Sequence, residues 1–477
     1  MSTEQRARPG DETAGSTGST GSVLSVASAK AARRLIWFLG VLYFINYLDR
    51  TNISFAGPNG MNTDLGLSQT MFGLASGLFF IGYLLLEVPS NMALHRFGAR
   101  RWIARIMVSW GIVATVMTWV PNAGWLYALR FILGIAEAGF FPGIILYLTF
   151  WFPQKDRTRI VALFMLAIPM SSAIGAPVSS LIISAGHGVF GLEGWRTMFL
   201  FEGIPAIVFG VICWYYLTDR PKDALWLDAD ERAALVTAMD EDEAAKASRY
   251  HVSVRESLTR PRVWALAFVY FGGVYGLYAL GFFLPTIIKG FEQQYGTTYG
   301  VVQRGFINAI PYVFGAVAMI VWARHGDRTK ERVWHVAGPL ILGGVAIPVT
   351  LYLGSPVAAM VAVSICAIGI MAFLPSFWAL PTTFLTGAAA ASGIALINSV
   401  GNLSGFAAPY ITGWLADLTG NQKAGLWVVG GTMLVAAALT LVLRAAPESP
   451  PVAPGSAPAA PAAPAAPAAP GNVPSDG

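Results

Sequence analysis

The chain has 477 residues, of which 55% are hydrophobic and only 12% are charged. Soluble domains carry about 25% charged residues. With a mean hydropathy of +0.57, the composition therefore excludes a string of soluble domains, a disordered protein and a coiled coil. The net charge of +5 is that of many nucleic-acid-binding proteins, but the basic residues lie between apolar stretches, which is typical of a membrane protein.

Twelve apolar stretches are each long enough to cross a bilayer as a helix, which takes about 20 residues. The short alternating segments of a membrane β-barrel are absent from the sequence. We therefore predict an all-α membrane protein with twelve transmembrane helices in two six-helix halves. The predicted spans, numbered 1 to 12 in chain order, are 35–57, 71–94, 102–120, 125–150, 159–185, 195–217, 263–289, 300–323, 333–353, 357–380, 389–416 and 424–444.

Lysine and arginine are distributed unequally between the two sides of these spans. Most of the 31 basic residues lie in the N-terminal stretch and in the loops that follow even-numbered spans. The other side has only Arg196, Lys289, Arg304 and Lys423. The positive-inside rule therefore predicts that both termini and the even-numbered loops are cytoplasmic.

The longest connection between spans divides the chain into six plus six. We predict a polar cytoplasmic linker at 218–262, with a short surface helix, between helical bundles at 33–217 and 263–444. Residues 1–32 are predicted to form a disordered cytoplasmic tail. Residues 445–477, which are mostly alanine and proline, are predicted to form a second disordered tail.

Ionisable residues inside the predicted spans are the strongest functional signal. A charge at mid-bilayer costs about 2.5–3.5 kcal/mol on insertion scales, so such residues are usually functional or paired. Asp49 and Arg50 lie in span 1. Arg130 and Glu137 lie seven residues apart in span 4 and so share one helix face. A substrate anion that competes for an arginine would leave a nearby carboxylate free to take a proton, which predicts symport through Asp49 and Glu137. The alternative is a static ion pair that joins spans 1 and 4.

Other polar and aromatic residues in the spans are open to two interpretations. Tyr275 and Tyr278 share one face of span 7, and Asn398 and Asn402 share one face of span 11. These four, with Tyr83 and Trp378, could line a substrate cavity or serve helix packing. A local role is favoured for Glu87, which precedes Val88-Pro89 at an expected helix end, and a structural role for Glu202.

The sequence contains no constellation of residues typical of an enzyme. The five histidines lie in loops or at span ends, and no phosphate-binding Walker loop is present. The two cysteines, Cys213 and Cys366, lie in apolar stretches without metal-ligand spacing. We therefore predict no catalytic activity, no cofactor and no metal.

Several stretches together resemble the major facilitator superfamily and, within it, the anion:cation symporter family of carboxylate permeases. The resemblance covers about 33–444. It is carried by Tyr47-Leu-Asp-Arg-Thr-Asn-Ile53, Glu87-Val-Pro-Ser-Asn91, His95-Arg-Phe-Gly-Ala-Arg-Arg101 and Arg130-Phe-Ile-Leu-Gly-Ile-Ala-Glu-Ala-Gly-Phe-Phe-Pro-Gly143.

The resemblance implies roles for individual residues. Asp49 and Glu137 match the family's proton-coupling acids. The substrate-binding residues implied are Arg50, Tyr83, Arg130, Trp378, and Asn398 or Asn402. The loops after spans 2 and 8 match the superfamily's gating loop, and the residues concerned are Arg96, Gly98, Arg100, Arg101, Asp327 and Arg328.

The chain departs from the family pattern in two places. His95 and Asn91 replace the acidic residue and the glycine of the first gating loop, which puts the usual contact of that loop in doubt. Ile168 and Pro169 of span 5 are apolar where sugar-acid relatives look more polar, which argues for a less hydroxylated substrate.

By this resemblance, the expected function is proton-coupled uptake of an organic carboxylate by alternating access, with sugar acids, tartrate, phthalate or hydroxyphenylacetate as substrate classes. The expected partners are the small anion, protons and the bilayer, and nucleic acid is not expected. We expect a monomeric, multi-pass protein of the cell membrane. A drug or metabolite:proton antiporter and, less favoured, a ligand sensor that does not transport remain as alternatives.

Overall fold

The computed structural model of the protein describes residues 13–247, 261–378, 380–381 and 388–445, and every regular element in these ranges is a helix. The prediction of an all-α protein is confirmed. Two spans consist of two consecutive helices. The twelve spans are Thr13–Thr51, Gln69–Phe97, Ala99–Val116, Ala123–Glu137 with Phe140–Thr149, Gln154–Met165 with Ala167–Ala185, Gly194–Tyr216, Pro261–Tyr295, Val301–Thr329, Val333–Val349, Pro356–Trp378, Ala388–Thr419 and Lys423–Ala445.

Ten of these twelve spans are long and apolar enough to cross a membrane. The other two are spans 1 and 11, which are also the spans whose faces carry many polar groups. Span 1 contains Asp49 and Arg50, and span 11 contains Asn398 and Asn402. Polar groups within a span usually face the interior of the helix bundle instead of lipid.

The first helix begins much earlier than predicted. It starts at Thr13, whereas span 1 was expected from residue 35 and residues 1–32 were expected to be disordered. The linker helix Ala229–Ala247 packs against this extension. Ala27 and Ala31 are fully buried, and Lys30 Nζ lies 2.6 Å from a carboxylate oxygen of Glu231. The extension is therefore ordered by a tertiary contact that local composition does not reveal. The rest of the linker, from 248 to 260, and the alanine- and proline-rich tail from 446 lie outside the described residues.

Below, the two ends of the bundle are named cytoplasmic and outer, after the orientation that the basic residues predict. Spans 1 to 6 are called the first half and spans 7 to 12 the second half. The halves meet where span 2 packs on span 11 and span 5 packs on span 8. This region is called the seam.

Small residues let the backbones come close at the seam and within the first half. A β-carbon added at Gly73 would lie 2.2 Å from Pro409 O across the seam. One added at Gly134 of span 4 would lie 1.9 Å from Phe79 O of span 2. Such small-residue contacts are a common way in which membrane helices pack. They bring the polar faces of spans 1, 2 and 4 together.

Candidate functional site

A buried ion pair joins spans 1 and 4. Arg50 Nε donates to Glu137 Oε1 at 3.0 Å, and the terminal Nη2 of the same guanidinium contacts the same oxygen. Arg50 is 6% exposed and Glu137 is fully buried. The second carboxylate oxygen of Glu137 has no hydrogen-bond partner among the described residues. The pair thus retains an unused acceptor beside the arginine.

Two aromatic rings of span 2 hold the Arg50 guanidinium. Its central carbon lies 5.2 Å from the centre of the Phe79 ring and 5.3 Å from that of Tyr83. Phe79 also packs against the guanidinium of Arg130 at 5.2 Å. The structure therefore places Tyr83 beside Arg50. The sequence analysis overlooked Phe79, although it precedes Tyr83 by one helical turn and so shares its face.

Arg130 is completely buried, and its described hydrogen bonds go to backbone oxygens. Its Nε donates to Ala75 O at 3.3 Å, and its Nη2 donates to Arg50 O at 3.4 Å. Its other terminal nitrogen, Nη1, has no partner among the described residues. Arg130 therefore links the backbones of spans 1 and 2 through hydrogen bonds, and its Nη1 donor is unused among the described residues.

Asp49 occupies a different face of span 1 from its neighbour Arg50. Trp110 of span 3 donates its indole N–H to Asp49 Oδ2 at 2.8 Å. Asp49 is fully buried, and its second oxygen has no described partner. The two acids predicted to act together thus have different partners, an arginine for Glu137 and a tryptophan for Asp49. Trp110 is a partner that no sequence signal identifies.

Span 4 is interrupted directly after Glu137. The helix Ala123–Glu137 ends there, and a new helix starts at Phe140. Gly139 adopts a left-handed backbone conformation with φ +84°, and a β-carbon on it would lie 2.3 Å from Ser90 Oγ. Only glycine suits such a position. The carboxylate of Glu137 thus lies at a helix C-terminus, where the helix dipole is unfavourable to a negative charge and favours a cation such as Arg50 nearby.

The two tyrosines predicted on one face of span 7 have different neighbours. Tyr278 lies near Arg50, and its ring packs edge-on against Phe80 with centroids 4.5 Å apart. Tyr275 instead lies beside Thr412 of span 11. Of the pair, only Tyr278 brings the second half into contact with the arginine.

The remaining predicted substrate residues form a second group. Asn398 Nδ2 donates across the seam to Glu87 Oε1 at 2.9 Å, and Asn402 also approaches this carboxylate. Trp378 packs against Tyr270, with ring centroids 4.9 Å apart. The expectation of a helix end at Glu87 is wrong, because span 2 continues through Pro89 to Phe97. Glu87 is 6% exposed and joins the two halves.

The loop after span 2, which was predicted to be a gating loop, is attached to the chain directly after span 6. Gly98, with φ +86°, separates spans 2 and 3. The backbone N–H of Arg100 donates to Asp219 Oδ1 at 2.8 Å. Asp219 thus supplies an acidic contact, although His95 stands at the family's acidic position. Arg96 and Arg101 are exposed, as are Asp327 and Arg328 at the end of span 8.

At the outer end, three side chains make polar contacts between the halves, and we call these contacts the outer clamp. Asp417 accepts from Gln69 N at 3.0 Å and from Thr70 N at 2.7 Å. Arg304 Nη2 donates to Asn59 Oδ1, and Lys289 Nζ donates to Pro58 O, each at 2.6 Å. The seam is therefore closed at this end. Within the described ranges, no group of three or more acidic, histidine or cysteine side chains could hold a metal ion.

Comparison with known proteins identifies the fold and the relatives. The family model described as Major Facilitator Superfamily matches residues 39–409. A protein of Agrobacterium vitis named "Putative tartrate transporter" is 49% identical over 421 residues, which cover 88% of this chain and 95% of the relative. The "Quinolone resistance transporter" of Acinetobacter baumannii is 38% identical, and the match covers 86% of this chain and 93% of that relative.

A solved structure shares the fold at low identity. A bacterial homolog of the human lysosomal transporter Spinster, in an inward-facing and occupied conformation, matches with a TM-score of 0.68 at 17% identity. The match covers 86% of this chain and 96% of that one. Such a likeness concerns the arrangement of helices and not the substrate.

Proposed function

Because the chain belongs to the major facilitator superfamily, we propose that it is a proton-coupled importer of an organic carboxylate that works by alternating access. The family establishes a multi-pass membrane transporter and not an enzyme. The observation that carries the finer proposal is the buried pair of Arg50 and Glu137 between spans 1 and 4. The relative named as a tartrate transporter makes small hydroxy-diacids the first substrates to test.

The proposed coupling is an exchange of partners at Arg50. The guanidinium is a planar, two-pronged donor that suits a carboxylate, and it is now occupied by Glu137. An incoming substrate carboxylate takes the guanidinium, and Glu137 then remains buried without a cation. Because an unpaired buried charge is costly, Glu137 takes a proton as the substrate binds. Substrate and proton thereby occupy the protein together.

The second half completes the site in this proposal. Tyr278 of span 7 reaches the same guanidinium from across the seam. Asn398, Asn402 and Trp378 are proposed to contact the substrate when the seam opens at Glu87. Arg130 keeps one donor for the substrate, and Asp49 is proposed as a second proton carrier because one of its oxygens is unused. Tyr275 is proposed as a more distant contact of the substrate.

The distribution of basic residues supports a proposed orientation in the membrane. We propose that the protein lies in the cell membrane as a monomer with both termini in the cytoplasm, and that its two bundles meet around the site. Protons then move inward with the anion. Each net positive charge that moves inward gains about 2.3 kcal/mol per 100 mV of membrane potential.

The test is transport in liposomes that contain purified protein and a pH-sensitive dye in the lumen. Addition of tartrate, galactonate, phthalate or hydroxyphenylacetate outside should acidify the lumen for one class of acid. Glu137→Gln should abolish acidification and accumulation against a gradient, because glutamine cannot exchange a proton. Accumulation by Glu137→Gln equal to that of the parent would refute the assigned role.

The matched control is Glu202→Gln. Glu202 is a buried carboxyl of span 6 that accepts a hydrogen bond from Ser179 Oγ at 2.6 Å and forms no ion pair with any described residue. This variant should keep coupling and separate the loss of one particular proton carrier from the general effect of replacing a buried acid.

A second candidate is a drug or metabolite:proton antiporter, which the relative named as a quinolone resistance transporter favours. Span 5 lacks the Gly-Pro pair typical of exporters, so we place it second. Expression in a susceptible host discriminates between the two. Raised quinolone resistance without carboxylate uptake would favour export.

A further inference from the structure

A small polar cavity lies at the seam on the outer side of Arg50. It is formed by spans 1, 5, 7 and 8 and has a volume of about 10 Å³. This is close to the space that one water oxygen needs. The polar residues in its wall are Thr51, Ser171, Ser172, Asn308 and Tyr312.

Asn308 is the most unusual residue of this wall. It is 3% exposed, and its side-chain oxygen accepts no hydrogen bond from any described residue. A buried acceptor without a donor costs free energy, so such groups normally have a protein, water or ligand partner.

Two of the other four side-chain oxygens of the wall donate to the backbone. Thr51 Oγ1 donates to Tyr47 O at 2.9 Å, and Ser171 Oγ donates to Phe44 O at 2.9 Å. A hydroxyl has one proton, so these two oxygens can only accept a further hydrogen bond. Together with Asn308 Oδ1 they form a cluster of acceptors. These acceptors suit a group that donates, such as an alcohol.

Two residues of the cavity wall are close in sequence to residues of the proposed carboxylate site. Thr51 directly follows Arg50 in span 1. Gly281, which also lines the cavity, comes three residues after Tyr278 in span 7. Three residues of helix rise about 4.5 Å, so a short acid held at Arg50 extends to this level.

We propose that this cavity is a hydroxyl subsite in which Asn308 accepts a hydrogen bond from an alcohol group of the substrate. The inference rests on the proposed function and deepens it. The substrate class is a hydroxy-acid, bound through a carboxylate at Arg50 and a hydroxyl at Asn308. This proposal differs from the expectation of a less hydroxylated substrate. That expectation was based on the apolar residues Ile168 and Pro169 of span 5, whereas Ser171 and Ser172 of the same span line the cavity.

The test compares tartrate with succinate, which has the same four-carbon diacid skeleton without hydroxyls. Uptake of each is measured in proteoliposomes with an imposed inward proton gradient, and the ratio of the two kcat/KM values is the readout. The parent should prefer tartrate. Asn308→Leu, which keeps the size but removes the acceptor, should lower the ratio by about tenfold, the effect of one lost hydrogen bond, and leave succinate uptake unchanged.

Two further variants guard against a folding defect. Ser172→Ala is a smaller change in the same wall and should lower the ratio in the same direction. Asn46→Leu is the matched control, because the side chain of Asn46 is also buried without a hydrogen-bond partner among the described residues but does not line the cavity. It should leave the ratio unchanged.

The possible outcomes separate this inference from the proposed function. A parent that transports neither diacid nor any other carboxylate refutes both. The subsite alone is refuted if the parent transports both diacids equally. It is also refuted if Asn308→Leu leaves the kcat/KM values for tartrate and succinate unchanged or lowers both by the same factor. If Asn308→Leu does not fold, an unchanged ratio in Ser172→Ala refutes it.

Discussion

The guanidinium of Arg50 is the group on which the proposed mechanism most depends. It contacts Glu137, lies against the rings of Phe79 and Tyr83, and is within reach of Tyr278. We predict that Arg50→Lys raises KM for the carboxylate at least about tenfold, because lysine keeps the charge but loses the two-pronged donor and the flat surface between the rings. The measurement is substrate-dependent uptake in proteoliposomes.

The control for this substitution is Arg105→Lys. Arg105 is exposed and also lies over an aromatic ring, with its guanidinium 4.1 Å from the centre of Trp102. It should transport like the parent. An Arg50→Lys protein with the parent's KM would contradict the planar carboxylate contact.

The interruption of span 4 positions Glu137, and it depends on one glycine. Alanine at Gly139 would meet Ser90 Oγ and would have to adopt a positive φ. We predict that Gly139→Ala lowers the thermal unfolding temperature and the transport rate together. The reason is that the backbone strain and the collision with Ser90 would both occur two residues from Glu137. The unfolding of the detergent-purified protein, followed by intrinsic fluorescence, measures the first effect.

Gly124→Ala in the same span is the matched change. There the nearest heavy atom to an added β-carbon is Asn122 Oδ1 at 3.4 Å, so the methyl group fits. Gly124→Ala should unfold at the parent's temperature. Equal unfolding temperatures for all three proteins would show that the span tolerates a regular helix at this point.

Closure of the outer end depends on the contact of spans 2 and 11. Leucine at Gly73 would collide with the backbone of Pro409. We predict that Gly73→Leu keeps the outer end open and reduces transport, because alternating access requires both ends to close in turn. Spin labels at His187 and Gly354, one in each half at the outer end, should show a longer distance in the variant.

Gly40→Leu is the control for this measurement, since nothing lies within 4 Å of an added β-carbon there. Its label distance should equal that of the parent. If Gly73→Leu also keeps the parent's distance and rate, then the close approach at Gly73 does not control the outer end.

The apolar pattern alone predicts the number and order of the spans. Each needs about 20 apolar residues to cross the bilayer, and lipid offers no partner to an unpaired backbone group, so helices follow directly from composition. The same reasoning identifies Asp49, Arg50, Arg130 and Glu137 as buried and important, because charges inside a span are costly wherever the helices pack.

The partners of those charges depend on packing between residues far apart in the chain. The pairing of Arg50 with Glu137 and of Asp49 with Trp110 crosses 87 and 61 residues of sequence. The helical extension from Thr13 likewise depends on the linker helix, and the outer clamp depends on loops of opposite halves. Hydropathy describes how each residue interacts with lipid and water, whereas hydrogen bonds and ion pairs need two groups at a defined distance, which only the folded arrangement of the helices provides.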